Sequence, residues 1–112
     1  MVARIVAPER GDVVWLDFGA TRGSEQRGRR PAIVLSPASY NKLSGLALVC
    51  PVTSTDKPYP FRVPVSVGTV RGFAIADQVR SISWVERGAK RVGRTPVDIT
   101  ESVIARVRAL LE

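Results

Sequence analysis

At 112 residues and 12.2 kDa, the chain is long enough for one domain (1–112, with 1–9 as a flexible lead) and one modest core, and its 45% hydrophobic and 24% charged content excludes a disordered protein. No apolar run approaches the ~18 residues of a membrane span, and the opening MVARIVAPERGD lacks the apolar stretch of a signal peptide, so a cytoplasmic protein with no membrane partner is expected. Lys and Arg number 17 against 10 Asp and Glu, a net charge of +7 that favours polyanions such as nucleic acid, an anionic membrane surface or an acidic protein, although a basic protein that binds none of these has the same balance.

Most of the chain reads as short strands punctuated by turns. Residues 13–18 (VVWLDF) are rich in β-formers, and Gly11-Asp12 opens them. Then comes TRGSEQRGRRP, residues 21–31, with four arginines, two glycines and one acid, Glu25. Residues 31–36 (PAIVLS) have the nearly unbroken apolar character of a buried strand. Residues 37–44 (PASYNKLS) suit a helical turn that ends at Gly45. Another apolar strand is expected over 46–52, and a loop over 53–60 (TSTDKPYP).

Phe61, Val63, Val65 and Val67 alternate with Arg62, Pro64 and Ser66, a period of two that predicts one buried and one wet face. Pro64 cannot donate to a ladder, which points to an edge strand. Residues 68–72 read as a turn. Strands are expected at 73–76 and 79–85, with Asp77-Gln78 between them. Arg87, Lys90, Arg91 and Arg94 read as a solvated basic face. Val103, Ile104, Val107, Leu110 and Leu111 recur at helical spacing, which predicts a helix over about 99–111. Asp98 and Glu101 fit a capping box, with Pro96 just outside. Short strands ending in a single helix make a small β-barrel with helical additions, α+β in class and mainly β.

The chemistry available is narrow. There is no histidine, and Cys50 is the only cysteine, so no internal disulfide can form and a transition metal has no ligand set. The apolar LALVCPV around Cys50 predicts a buried, inert thiol. Trp15 and Trp84 read as core or interface residues. In TRGSEQRGRRP the arginine forks can bind phosphate oxygens in pairs, Gly23 and Gly28 let the backbone turn, and nearby guanidinium groups favour a charged Glu25. The hydroxyls of Thr53, Ser54 and Thr55, at a strand end, can donate to a phosphate. Arg, Glu and Thr together suit phosphodiester chemistry in RNA, where the 2′-hydroxyl is the nucleophile. Each feature also has a plainer reading: a solvated hairpin, a surface ion pair and ordinary turn chemistry.

The sequence closely resembles the MazF (PemK-like) toxins of bacterial toxin–antitoxin modules. The likeness is carried by GDVVWLDF, by TRGSEQRGRRPAIVLSP with Tyr40-Asn41 after it, by PVTSTDKPYPF, by GFAIADQVRSISW and by the glycine-spaced basic stretch before the last helix. It runs in order from about Arg10 to Leu111. The resemblance implies an SH3-like barrel with a C-terminal helix, of the MazF/CcdB kind, assembled as a homodimer. It also implies a cofactor-free, metal-independent endoribonuclease that cuts single-stranded RNA at short sequences, leaving 2′,3′-cyclic phosphate and 5′-hydroxyl ends, and so arrests translation and growth.

The implied partner is a MazE-like antitoxin whose acidic, disordered tail covers the RNA groove, with DNA reached only through that antitoxin. The family's catalytic arginine, before a proline, falls on Arg30, its threonine on Thr53 and its acid on Glu25. In this assignment Arg30 binds the phosphate or donates a proton, Thr53 holds the scissile phosphate, and Glu25 is base or orienter of Arg30. Arg22, Gln26, Arg27, Arg29, Ser54, Lys57 and Tyr59 would line the RNA path, Arg29 as a tuner of affinity or sequence choice. Two alternatives stand beside it: a CcdB-like toxin that binds DNA gyrase without catalysis, and a non-catalytic RNA-binding module.

Overall fold

The computed structural model describes residues 6–19 and 28–112. Seven antiparallel strands, a short helix and a C-terminal helix follow in the order β1 (Asp12–Asp17), β2 (Arg29–Val34), α1 (Ala38–Ser44), β3 (Leu46–Thr53), β4 (Arg62–Val67), β5 (Val70–Ile75), β6 (Arg80–Ser83), β7 (Lys90–Arg94) and α2 (Val97–Ala109), with one 3-10 turn at Ala76–Gln78. The sheet runs β4-β5-β3-β2-β1-β7, and β6 pairs with β3 beside this path. The expected mainly β, barrel-like fold with a C-terminal helix is found, its sheet curved into a half-barrel.

β3 is the shared element. Leu46 to Val49 pair with β6, while Val52 and Thr53 pair with Ala74 and Phe73 of β5. Both faces of the central strands are covered. Val13, Ile33, Cys50 and Val52 pack with the valines of β4 and with Val103 of α2. Val14, Leu16, Ala32, Val34 and Val49 pack on the other side with Phe18, Ile82 and Trp84. That double burial is why these strands read as near-continuous apolar runs rather than as alternating ones. Burial raises the Cys50 thiol to about 12, with the Asp77 charge adding to the effect, which fits an inert core residue. Trp84 is a core residue too, and its indole N–H donates to the Asn41 carbonyl at 2.8 Å.

Several elements differ from the expectation. The turn assigned to 68–72 is only two residues long, because β5 starts at Val70, pairs with Val67 and carries Arg71 and Gly72 inside the strand. Gly72 is needed there for closeness, since a Cβ would stand 2.3 Å from the Thr53 carbonyl oxygen. The basic face at 87–94 contains β7, whose Arg91 and Arg94 reach the buried Asp12.

The capping box does not form. Pro96 is the N-cap without a side-chain cap bond, and its carbonyl accepts from Ile99 N–H at 3.1 Å and Thr100 N–H at 3.3 Å. Asp98 instead adds its charge to the first turn of α2, near the positive end of the helix dipole. At the other end α2 stops before Leu110 and Leu111, both of which are exposed. β4 lies at the sheet edge, as Pro64 requires, and its burial alternates strictly.

Candidate functional site

The described residues on either side of positions 20–27 are paired with each other. Phe18 N–H donates to the Gly28 carbonyl at 2.8 Å, and Gly28 N–H to the Gly19 carbonyl at 2.9 Å. Both glycines have positive φ, 71° and 76°, which a side chain would strain. β2 then starts earlier than the apolar pattern predicts. Arg29 and Arg30 belong to the strand and stand opposite Asp17 and Leu16 of β1. Their positions are therefore set by a backbone ladder, although their side chains face water. Arg22, Glu25, Gln26 and Arg27 lie outside the described residues.

Arg30 and Thr53 meet at one cleft of about 270 Å³. Its walls come from β1 (Trp15), β2 (Arg29, Arg30, Pro31), the end of β3 (Val52, Thr53, Ser54) and the β4–β5 hairpin (Thr69, Val70, Arg71). Its described lining holds three arginines and three hydroxyls, and no carboxylate. Thr53 is nearly buried, and its hydroxyl oxygen accepts from Thr55 N–H at 3.2 Å, which leaves its proton to donate elsewhere. Arg29 spends one N–H on the Gly88 carbonyl at 2.9 Å, so its head is tied to the turn before β7.

Lys57 and Tyr59 do not line this cleft. Both are exposed on the loop between β3 and β4. The Tyr59 hydroxyl donates to Asp77 Oδ2 at 2.8 Å, and its ring tilts against Phe61 with centroids 5.8 Å apart. The hydrogen bond to Asp77 raises the phenol above the usual tyrosine value, so Tyr59 stays protonated. Arg62 donates to the Thr55 carbonyl at 2.8 Å and Arg106 to the Pro60 carbonyl at 2.7 Å, and these bonds tie the same loop down.

Sequence reasoning missed Thr69 and Arg71. The available signal was a basic residue two places after Thr69 in a hairpin, and the flanking glycines disguised it as turn. Trp15, assigned to core or interface, is half-buried and borders the cleft.

A larger cavity, about 480 Å³, lies along α2 between Arg10, Arg94 and Arg108. It is the weaker candidate for an anion site, because Glu101 stands in its wall and Arg94 is already engaged by Asp12 and Glu9. The smaller cleft, whose described charged side chains are all cations and which adds three hydroxyl donors, suits a phosphate better. Among the described residues no group of three His, Cys, Asp or Glu could hold a metal ion, and no helix is long and apolar enough to cross a membrane.

Residues 9–111 match the family model described as PemK-like, MazF-like toxin of type II toxin–antitoxin system. The chain is 45% identical over 111 residues to the endoribonuclease toxin MazF of Escherichia coli (strain K12), an alignment that covers 99% of each. A crystal structure of MazF from Deinococcus radiodurans superposes with a TM-score of 0.89 at 44% identity, covering 96% of this chain and 98% of that one. A MazE-MazF complex from the same organism gives 0.83 at 42% identity, over 96% and 97%.

Proposed function

The chain belongs to the PemK-like, MazF-like toxin family, and on that premise we propose that it is an endoribonuclease toxin that cuts single-stranded RNA without a metal ion. The observation that carries the reading is the meeting of Arg30 and Thr53 on a cleft lined by arginines and hydroxyls. The RNA 2′-hydroxyl supplies the nucleophile. Its proton goes to Glu25, or to solvent if Glu25 instead orients Arg30. The 2′-oxygen bonds to phosphorus, and the bond to the 5′-oxygen breaks. That oxygen leaves with a proton taken from the protonated Glu25 or, if Glu25 is not the base, from water, and the products are a 2′,3′-cyclic phosphate and a 5′-hydroxyl.

Thr53 Oγ1 donates to an oxygen of the scissile phosphate. Arg30 stabilises the charge that builds on the pentavalent phosphorane, where one preorganised donor is worth roughly 3–4 kcal/mol. A guanidinium stays charged throughout the accessible pH range, so this electrostatic role suits it better than proton donation. Gln26, Arg22, Arg27, Arg29 and Ser54 contact the rest of the strand, and Lys57 and Tyr59 extend the path along the outer loop. The protein acts as a homodimer in the cytoplasm and blocks translation by cutting messages. Its inhibitor is a MazE-like antitoxin with an acidic, disordered tail, for which a net charge of +7 provides the attraction.

The test is incubation with a long RNA in excess EDTA, followed by mapping of the cuts and analysis of their 3′ ends. Cuts at a short recurring sequence that end in cyclic phosphates are expected. Loss of cutting in EDTA sinks the metal-free mechanism, and binding without cuts leaves an RNA-binding module. Glu25→Gln in the same assay decides between its two roles, because an amide accepts a hydrogen bond but is a very poor base.

A further inference from the structure

Arg71 is a cleft residue that neither the sequence motifs nor the proposed chemistry uses. It lies in β5, directly opposite Ser66 of β4, and its Nη1 donates to Ser66 Oγ at 2.9 Å. Side chains alternate along a strand, so Arg71 shares a face with Phe73, and Phe73 is the cross-strand partner of Thr53. Arg71 is therefore the diagonal neighbour of Thr53, a separation of roughly 7–8 Å between backbone positions. The two strands touch at this point, because Gly72 has no Cβ to hold them apart.

The tether to Ser66 draws the guanidinium toward β4, away from β3 and Thr53. A cation placed so, on the far side of the shared cleft from Thr53, is better placed for the next phosphate along the strand than for the one that Thr53 holds. One N–H is committed to Ser66, and the planar head keeps donors for a phosphate while losing little freedom on binding.

We propose that Arg71 is the cation that binds the RNA phosphate adjacent to the scissile one, fixing the register of the strand in the cleft. This rests on the endoribonuclease reading above. Arg71 contributes ground-state and transition-state binding alike, so its loss acts on KM rather than on kcat. It is exposed and not needed by the core, so the fold tolerates its replacement.

The experiment uses an RNA with one mapped cut site and the full-length protein. Arg71→Gln is expected to raise KM about tenfold, the scale of a lost charge-assisted hydrogen bond, with kcat changed less than about twofold and the thermal midpoint unchanged. Arg71→Lys restores most of the loss. Ser66→Ala keeps the charge but frees it, and raises KM by a smaller factor. The slope of log affinity against log salt falls by about 0.7 in Arg71→Gln, one phosphate contact on a single strand.

Substrates with a single neutral methylphosphonate beside the cut then locate the contact. The wild type loses affinity at one flanking position, and Arg71→Gln loses nothing further there. A fall in kcat at constant KM, or equal responses of both proteins to every neutralised phosphate, overturns the proposal. A 2′-deoxy oligonucleotide of the same sequence, which lacks the nucleophile, reads binding alone. If the wild type cuts no RNA, the endoribonuclease reading fails, while the affinities for this oligonucleotide still judge Arg71.

Discussion

The two arginine groups of this molecule differ in what faces them. Arg91 and Arg94 meet Asp12, which is 2% exposed, through Nε contacts of 3.1 and 3.3 Å to the same carboxylate oxygen. The second oxygen of Asp12 accepts from Glu9 N–H at 2.9 Å. That carboxylate has its charge answered and both its oxygens hydrogen-bonded, and the arginines reach it from water with their side chains 57% and 46% exposed. Arg29, Arg30 and Arg71 border a cleft whose described lining offers no carboxylate. The same residue type locks β7 to β1 in one place and lines a concave surface beside hydroxyl donors in the other. A net charge of +7 does not distinguish these uses, but the neighbours do.

The comparison breaks most sharply at Arg30. If the cleft arginines serve the reaction and not the fold, Arg30→Ala lowers the cleavage rate by about two to three orders of magnitude. Its thermal midpoint stays with the wild type, because an exposed side chain at a strand end contributes little to stability. Rate and melting temperature measured on the same preparation check both halves. A folded variant that cuts at the wild-type rate removes Arg30 from the chemistry.

The converse variant is Asp12→Ala. Here stability falls by about 3 kcal/mol, since a buried carboxylate with three hydrogen bonds is lost. The abandoned arginines can still be hydrated, which keeps the cost below that of stranding a buried charge. Denaturant unfolding measures it. Cleavage per folded molecule should be unchanged at low temperature, and a large loss of specific activity would mean that the clamp also shapes the cleft.

How far the sequence reveals these roles depends on what holds each segment. β1, the apolar part of β2 and β3 are legible because both their faces are buried and most of their residues are apolar for that reason. Thr53 is legible as a hydroxyl at a strand end. β7 (KRVGR) is not, because it lies at an edge and pairs through its backbone while three of its five residues are charged. Arg29 and Arg30 look like loop for the same reason, although the ladder to Asp17 and Leu16 places them in a strand. Arg71 is hidden by the glycines on either side, where tertiary pairing overrides a turn-like composition. α2 is legible through Val103, Ile104 and Val107, but its periodicity runs past the real end of the helix into Leu110 and Leu111.

Gly72 joins the two kinds of role, and Gly72→Ala is expected to cost less stability than Asp12→Ala. Its φ is not in the left-handed region, so alanine suffers no backbone strain of that kind. The conflict is spatial. The new Cβ would lie 2.3 Å from the Thr53 carbonyl oxygen, 3.0 Å from its carbon and 3.2 Å from Val52 Cγ1. The first two are backbone atoms and cannot rotate away, so β3 and β5 must part. Overpacking of this size costs about 1–3 kcal/mol. The strand that moves carries Thr53 and the one it leaves carries Arg71, so the cleft widens with the sheet. Cleavage per folded molecule should therefore fall together with the melting temperature, a pairing that neither Arg30→Ala nor Asp12→Ala produces. A stability loss with full activity would show that the cleft absorbs the shift and that the spacing of Thr53 and Arg71 is not critical.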